Sequence, residues 1–307
     1  MENKERFKHL NKYLKEKFGE RVLKICIDGG FTCPNRDGTV STGGCIFCSE
    51  RGSGDHINFT KSITEQVQNY FLSYKAERAN KFIAYFQNFT NTYDSISNLK
   101  AKYDAALIDD RIVALAIATR PDCINEDICK LIKSYSDKYY VWVELGLQTA
   151  NDSTGSLINR GFTSVQFSNS VKLLNKYNID VVAHIMIGLP GETFDDLQNT
   201  VKFINAHKIQ GLKIHSTYVV KNTVLADMYL SGNYSPISLD YYLNSVAFVL
   251  THISPDIVIH RVSGDAPKDL LISPSWNAHK KWIINGLDKL LADKNLYQGM
   301  YSKRDVL

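Results

Sequence analysis

Seven short apolar runs alternate with seven amphipathic stretches through the middle of the chain, and this alternation constrains the fold more than any other feature. The runs at 23–27, 82–87, 112–118, 140–146, 181–187, 212–219 and 257–261 are rich in Val, Ile, Tyr and Phe, as strands buried on both faces require. Helical patterns lie near 64–79, 94–106, 125–135, 164–178, 193–206, 238–252 and 275–291. Two of them open on capping boxes, Ser62 to Glu65 and Thr163 to Gln166. Strands that alternate with single helices are βα units and predict a parallel sheet. Six or seven units fit an α/β fold, a complete or partial (β/α) barrel, better than two domains. The predicted organisation is an N-terminal helix over 1–21, a barrel over 22–262 and a helical extension over 263–307. In such sheets chemistry sits at the carboxyl ends of the strands.

Composition excludes several other classes. At 44% hydrophobic and 22% charged residues, the 307-residue chain is neither disordered nor low in complexity. No apolar run approaches the roughly 18 residues that span a bilayer. The first residues are charged throughout and resemble no export signal, so a soluble, cytoplasmic protein without membrane contact is expected.

Four of the six cysteines (Cys26, Cys33, Cys45 and Cys48) lie close together. Clustered thiols in a cytosolic chain point to metal or redox chemistry rather than disulfides. Cys33, Cys45 and Cys48 follow the first strand in a Gly-rich loop with Cys-x11-Cys-x2-Cys spacing. Thiolates suit zinc or iron–sulfur clusters. Three ligands leave one coordination position open, which favours an iron–sulfur cluster. A structural zinc loop needs a fourth ligand, for which Cys26 or His56 is available. Cys26, within an apolar run, reads as a small core residue. Cys123 and Cys129 lack metal-site spacing and read as structural.

The loop Ile27-Asp28-Gly29-Gly30-Phe31-Thr32-Cys33-Pro34-Asn35-Arg36-Asp37-Gly38, followed by Gly43-Gly44-Cys45-x-Phe47-Cys48, resembles the radical S-adenosylmethionine (SAM) superfamily. It is most similar to the YhcC/YtqA branch, neighbours of the elongator catalytic subunit. The resemblance continues through Tyr85-Phe86-Gln87-Asn88-Phe89-Thr90-Asn91-Thr92, Glu144-Leu145-Gly146-Leu147-Gln148-Thr149 and Asn159-Arg160-Gly161. Gly188-Leu189-Pro190-Gly191-Glu192 and the segment from Ser263 to Ile272 complete it. The superfamily usually has three residues between its first two cysteines; the eleven here match the branch.

This resemblance implies a partial (β/α)6-type barrel. It also implies a [4Fe–4S] cluster held by Cys33, Cys45 and Cys48, with SAM on the fourth iron. Reduction of such a cluster, by a donor such as flavodoxin or ferredoxin, cleaves SAM to a 5′-deoxyadenosyl radical. By the same resemblance Phe47 lies against the SAM adenine, and Gln87 and Asn88 lie near the methionine amino group. Glu144 and Gln148 reach the ribose or sulfonium, and Ile187 and Gly188 admit the adenine. Arg160 pairs with the SAM carboxylate, a geometry that suits a guanidinium. Glu144 stands within an apolar run, where a carboxylate is costly unless paired or coordinated.

Residues 1–24 carry eight Lys/Arg against four Asp/Glu, which accounts for the net charge of +4. Phe7, Leu10, Leu14 and Phe18 at helical spacing, opposite Lys4, Lys8, Lys12 and Lys15, predict an amphipathic helix with a basic outer face suited to a phosphate backbone. Lys280 and Lys281 add to this basic character. His215, Tyr218 and Lys221 follow the sixth strand, and His260, Arg261, Asp265 and Lys268 the last; these are the candidate substrate contacts. Similarity to elongator-type enzymes implies tRNA, and for this branch conversion of carboxymethylaminomethyluridine to aminomethyluridine at the wobble position. No acetyltransferase-like segment follows the barrel, so the elongator's full reaction is not implied. The alternatives are radical chemistry on a small metabolite or protein, and a non-catalytic zinc-loop RNA-binding module.

Overall fold

Each of the seven apolar runs forms a strand of one parallel sheet. The computed structural model describes residues 5–50, 52, 61–264 and 266–302; the candidates His56 and Asp265 lie outside the described residues. In chain order the elements are α1 (Leu10–Phe18), β1 (Val22–Ile27), α2 (Ile63–Phe71), β2 (Lys81–Phe86), α3 (Ile96–Ala106), β3 (Ile112–Thr119), α4 (Glu126–Ser134), β4 (Tyr140–Gln148), α5 (Asp152–Leu157) and α6 (Ser164–Lys176). They continue with β5 (Asp180–Ile187), α7 (Phe194–Asn205), β6 (Gly211–Ser216), β7 (Val219–Val220), α8 (Val224–Leu230), α9 (Leu239–His252), β8 (Val258–Arg261), β9 (Leu271–Ser273) and α10 (Lys280–Asp293). The sheet order is β1-β2-β3-β4-β5-β6-β8, curled into an open, partial barrel with β1 and β8 at its edges.

The period-two alternation of the strands separates two apolar layers. Ile25, Phe82, Phe86, Leu115, Val143, Ile185 and Ile214 face outward against the helices. Ile83, Ala114, Trp142, Val182 and Val258 face the lumen near the strands' amino ends, where Leu10 and Leu14 of α1 cover them. The Lys8 carbonyl accepts the Ile259 N–H at 2.8 Å and fixes the entry to α1. The helix predicted over 1–21 is shorter, Leu10–Phe18, leaves Phe7 and Lys8 before its start, and plugs the amino end of the barrel; Lys4 lies outside the described residues.

Both predicted capping boxes form, and Thr193 with Asp196 makes another at α7. The helix predicted over 64–79 stops at Phe71, because the residues beyond, Leu72 and Tyr74, have nothing to pack on and are exposed. The strand predicted over 212–219 divides: β6 ends at Ser216, and β7 pairs antiparallel with β9. The helix predicted over 275–291 also divides, into a 3-10 turn at Ser275–Ala278 and α10.

Candidate active site

The cysteine loop leaves the carboxyl end of β1 and folds over the barrel mouth. Its turns are closed by backbone bonds: Arg36 N–H to the Cys33 carbonyl at 2.8 Å, Gly44 N–H to Asn35 at 2.8 Å and Cys48 N–H to Cys45 at 2.9 Å. Gly44 has to be glycine on two counts: its φ is +78°, and a Cβ would come within 2.9 Å of the Arg36 Nε. The Arg36 guanidinium donates to the Cys48 and Ser49 carbonyls and so holds the far end of the loop. From the other side, Asn159 donates to the Gly44 carbonyl at 2.8 Å, and Ile46 exchanges backbone bonds with Ile158 and Leu225. The loop is thus held by the segments after β4 and β7 as well as by itself.

Cys33, Cys45 and Cys48 line one cavity of about 270 Å³ together with Phe47, Gln87 and Gln148. Asn35 Nδ2 points at Cys45 Sγ from 3.7 Å. Burial, then the neighbouring Cys48, pushes the Cys45 thiol up to about 12, so a positive partner is needed to hold it as thiolate. Gln148 is strained, with φ +61°, and its Oε1 is buried without a hydrogen-bond partner among the described residues. Thr90, which also lines the cavity, has an orphaned Oγ1. Three thiols around one cavity, beside the unspent Gln148 Oε1 and Thr90 Oγ1, suit a thiolate-held cofactor with a polar co-ligand.

The floor of the same cavity is an ionic network that gives Glu144 the pairing its place in an apolar run requires, among partners whose convergence the sequence did not announce. Glu144 is fully buried mid-strand in β4 and accepts from Tyr85 Oη at 2.8 Å, Trp142 Nε1 at 3.1 Å and Lys213 Nζ. His184 Nε2 lies 2.9 Å away, Lys24 Nζ 3.8 Å and His260 Nδ1 3.9 Å. Lys213 also donates to Tyr85 Oη at 2.9 Å. Burial alone would raise the Glu144 carboxyl; the Lys213 and Lys24 ammoniums and the His184 bond outweigh it and hold it well below the usual carboxylate range. Burial pushes Lys213 down to about 7 against the pull of Glu144. Burial and then Lys213 push His184 down to about 4, and burial holds His215 and His260 well below the ordinary imidazole value. The imidazoles are therefore neutral at pH 7. The sequence leaves His184, within the run 181–187, open between a hydrogen-bonded core histidine and a substrate contact, and the structure gives it the Glu144 bond. The roles of Tyr85 and Lys213 were missed because each is a single polar residue within an apolar run, legible only once the strands' inward faces are aligned.

Several sequence expectations are redirected. Glu144 lines the cavity from below, not at the strand's end. Arg160 is 1% exposed, and its guanidinium is already used by the Phe162, Leu147 and Thr149 carbonyls and the Asp152 carboxylate. Four of its five N–H donors are taken and it does not line the cysteine cavity, so it stands as a structural clamp rather than a contact for a SAM carboxylate; Gly155 makes room for it. Asn88 turns its amide to Asp28 at 3.0 Å. Ile187 and Gly188 line a separate cavity of about 210 Å³ with Glu192 and Tyr234. His215, Tyr218 and Arg261 line the cysteine cavity, from β6, the residue before β7, and β8. His260 lies under the floor, while Lys221 and Lys268 are exposed outside the cavity lining. Cys26 is exposed rather than core, because it shares the lumen-facing side of the edge strand with Lys24; Cys129 is buried. The basic face of α1 lies at the opposite end of the barrel from this mouth.

Comparison with known proteins agrees with this geometry. The radical SAM superfamily model matches residues 35–204, and the radical SAM C-terminal domain model matches residues 209–293. The chain is 39% identical to the uncharacterized protein YtqA of Bacillus subtilis, over 97% of this chain and 94% of that one. It is 31% identical to a tRNA uridine(34) acetyltransferase of Dehalococcoides mccartyi, over 51% of this chain and 34% of the relative. Among solved structures, the archaeal Methanocaldococcus infernus Elp3 superimposes with a TM-score of 0.68 at 18% identity, covering 90% of this chain and 64% of that one. No helix among the described residues is long and apolar enough to cross a membrane. The chain therefore belongs to the radical SAM superfamily of enzymes, on the branch that includes YtqA and neighbours Elp3.

Proposed function

We propose that the chain modifies the wobble uridine of tRNA by radical SAM chemistry, converting a carboxymethylaminomethyl side chain to aminomethyl. The observation that carries the chemistry is that three thiols, orphaned polar atoms and a buried ionic floor share one cavity at the barrel mouth. Cys33, Cys45 and Cys48 would hold the cluster, and Phe47, Gln87 and Gln148 would contact SAM. When bound, this pair supplies hydrogen-atom abstraction by a 5′-deoxyadenosyl radical. The chain's own part is placement and shielding. Arg36 and Arg120 line the cavity beside the thiols and offset negative charge there. Phe89, Phe162 and Met186 line it with apolar surface that keeps out water.

His215, Tyr218 and Arg261 line the same cavity from β6, the residue before β7, and β8, and would receive the substrate. A uridine would have to leave its stack to reach them. The hydrogen removed would come from the carboxymethyl carbon beside the amine nitrogen; the two-carbon unit would leave as glyoxylate, its aldehyde oxygen supplied by water, with one electron taken up in the hydrogen abstraction and the second returned to the oxidised cluster. The tRNA assignment is supported by the likeness to a tRNA uridine(34) acetyltransferase over half the chain. A low-potential donor such as flavodoxin or ferredoxin would serve as reductant. Mass spectrometry of tRNA nucleosides from a strain lacking the gene tests the assignment. Carboxymethylaminomethyluridine should accumulate at the expense of aminomethyluridine and its derivatives. Unchanged wobble uridines would remove the tRNA substrate and leave the radical chemistry in place.

A further inference from the structure

The rim of the mouth beside the substrate wall carries a surface that neither the fold nor the cavity accounts for. Ser216, which lines the cavity, donates to Asn277 Oδ1, and two residues beyond Asn277 the chain emerges as His279-Lys280-Lys281-Trp282. All four residues are exposed. The His279 and Trp282 rings stack with centroids 4.1 Å apart and planes 20° apart, and Trp282 remains 55% exposed. Lys280 and Lys281 occupy the first turn of α10, which has no acidic residue. Cations at a helix start oppose the macrodipole, so helix stability does not explain this order of residues. Lys221 and Lys268, on the segments that flank the β7–β9 pair, are exposed as well. Tyr218 of the cavity wall directly precedes β7.

A preorganised aromatic face flanked by ammonium groups fits a ligand that offers flat bases and phosphates together, which is single-stranded nucleic acid. The α1 alternative fares worse: it lies at the far end of the barrel, Lys12 is paired with Glu5 at 2.6 Å, and Lys17 sits 4.0 Å over the Tyr140 ring.

We propose that this rim docks an unpaired loop of tRNA, with Trp282 stacking on a base and Lys281 meeting a phosphate, next to the cavity that receives the target base. The proposal rests on the tRNA reading above and names the surface it uses.

Binding of fluorescently labelled tRNA across a salt series, measured by anisotropy, tests it. Trp282→Ala should weaken affinity at least about fivefold, while Trp282→Phe, which keeps a stacking face, should stay near wild type. Lys281→Gln should flatten the log–log salt slope by about 0.7. Lys15→Glu on α1 should leave affinity unchanged. Wild-type-like binding by Trp282→Ala and Lys281→Gln overturns this surface while leaving the tRNA reading standing. Equal losses in the two Trp282 variants, or a Lys15→Glu loss as large as that of Trp282→Ala, overturn it as well. A wild-type protein that binds no tRNA removes the surface and the reading together.

Discussion

Arg160 and Gln148 end the same stretch of the mouth but answer opposite demands. Arg160 has four hydrogen bonds to backbone and Asp152 and is buried; Gln148 is strained and carries an orphaned oxygen into the cavity. Arg160→Ala should therefore cost at least about 3 kcal/mol of folding stability, because it leaves several buried acceptors unpaired. In whatever variant protein still folds, SAM affinity should be unaffected; a Gln148→Ala protein should show the reverse pattern. Denaturant midpoints and SAM binding measured on both variants check this. Sequence spacing could place Gln148 at the end of β4, since strand ends are legible from periodicity, and Arg160 in the segment after α5. It could not show that one guanidinium was already spent, because its partners are backbone carbonyls, which carry no residue-type signal. The three thiols were legible because cysteine spacing is itself the signal.

At the scale of elements, an open barrel must hold its strands together without a closing hydrogen-bonded pair. The network centred on Glu144 draws side chains from β1, β2, β4, β5, β6 and β8 to one buried carboxylate. Removing one member of a buried pair is far worse than removing both, since the survivor is left charged and unpaired. Glu144→Leu alone should destabilise by about 3–5 kcal/mol, and Lys213→Met added to it should recover part of that loss. A double-mutant cycle by chemical denaturation reads the coupling; simple additivity would show that the pair does not act as a unit. The βα alternation made the strands readable almost to the residue. The short elements α5, α8 and β9 escaped because runs of three to seven residues carry too little periodicity. The divided strand at 212–219 escaped because the β7–β9 pairing depends on a partner fifty residues away in sequence.

For the whole molecule, the buried imidazoles set the response to acid. His184, at about 4, and His215 and His260 titrate in the folded chain below the unfolded value near 6.5, so the unfolded state binds more protons between these limits. Stability should then rise with pH from about 4 to 6.5 and fall on acidification. Glu144, held low in the fold, should remove more stability as its buried charge is neutralised at still lower pH. Thermal unfolding followed from pH 7.5 to 5 should show a falling midpoint, and a flat profile would contradict the neutral, buried assignment of the three histidines. α1 plugs one end of the barrel, the cysteine loop covers the other, and the cavity between them is where cofactor, substrate and ionic floor would meet. The most direct test of that arrangement is anaerobic reconstitution with iron and sulfide, followed by reduction in the presence of SAM, for the wild type and Cys45→Ala. The wild type should develop the absorption of a [4Fe–4S] cluster and release 5′-deoxyadenosine, and Cys45→Ala should do neither. A colourless wild-type protein that holds stoichiometric zinc and forms no 5′-deoxyadenosine would contradict the account.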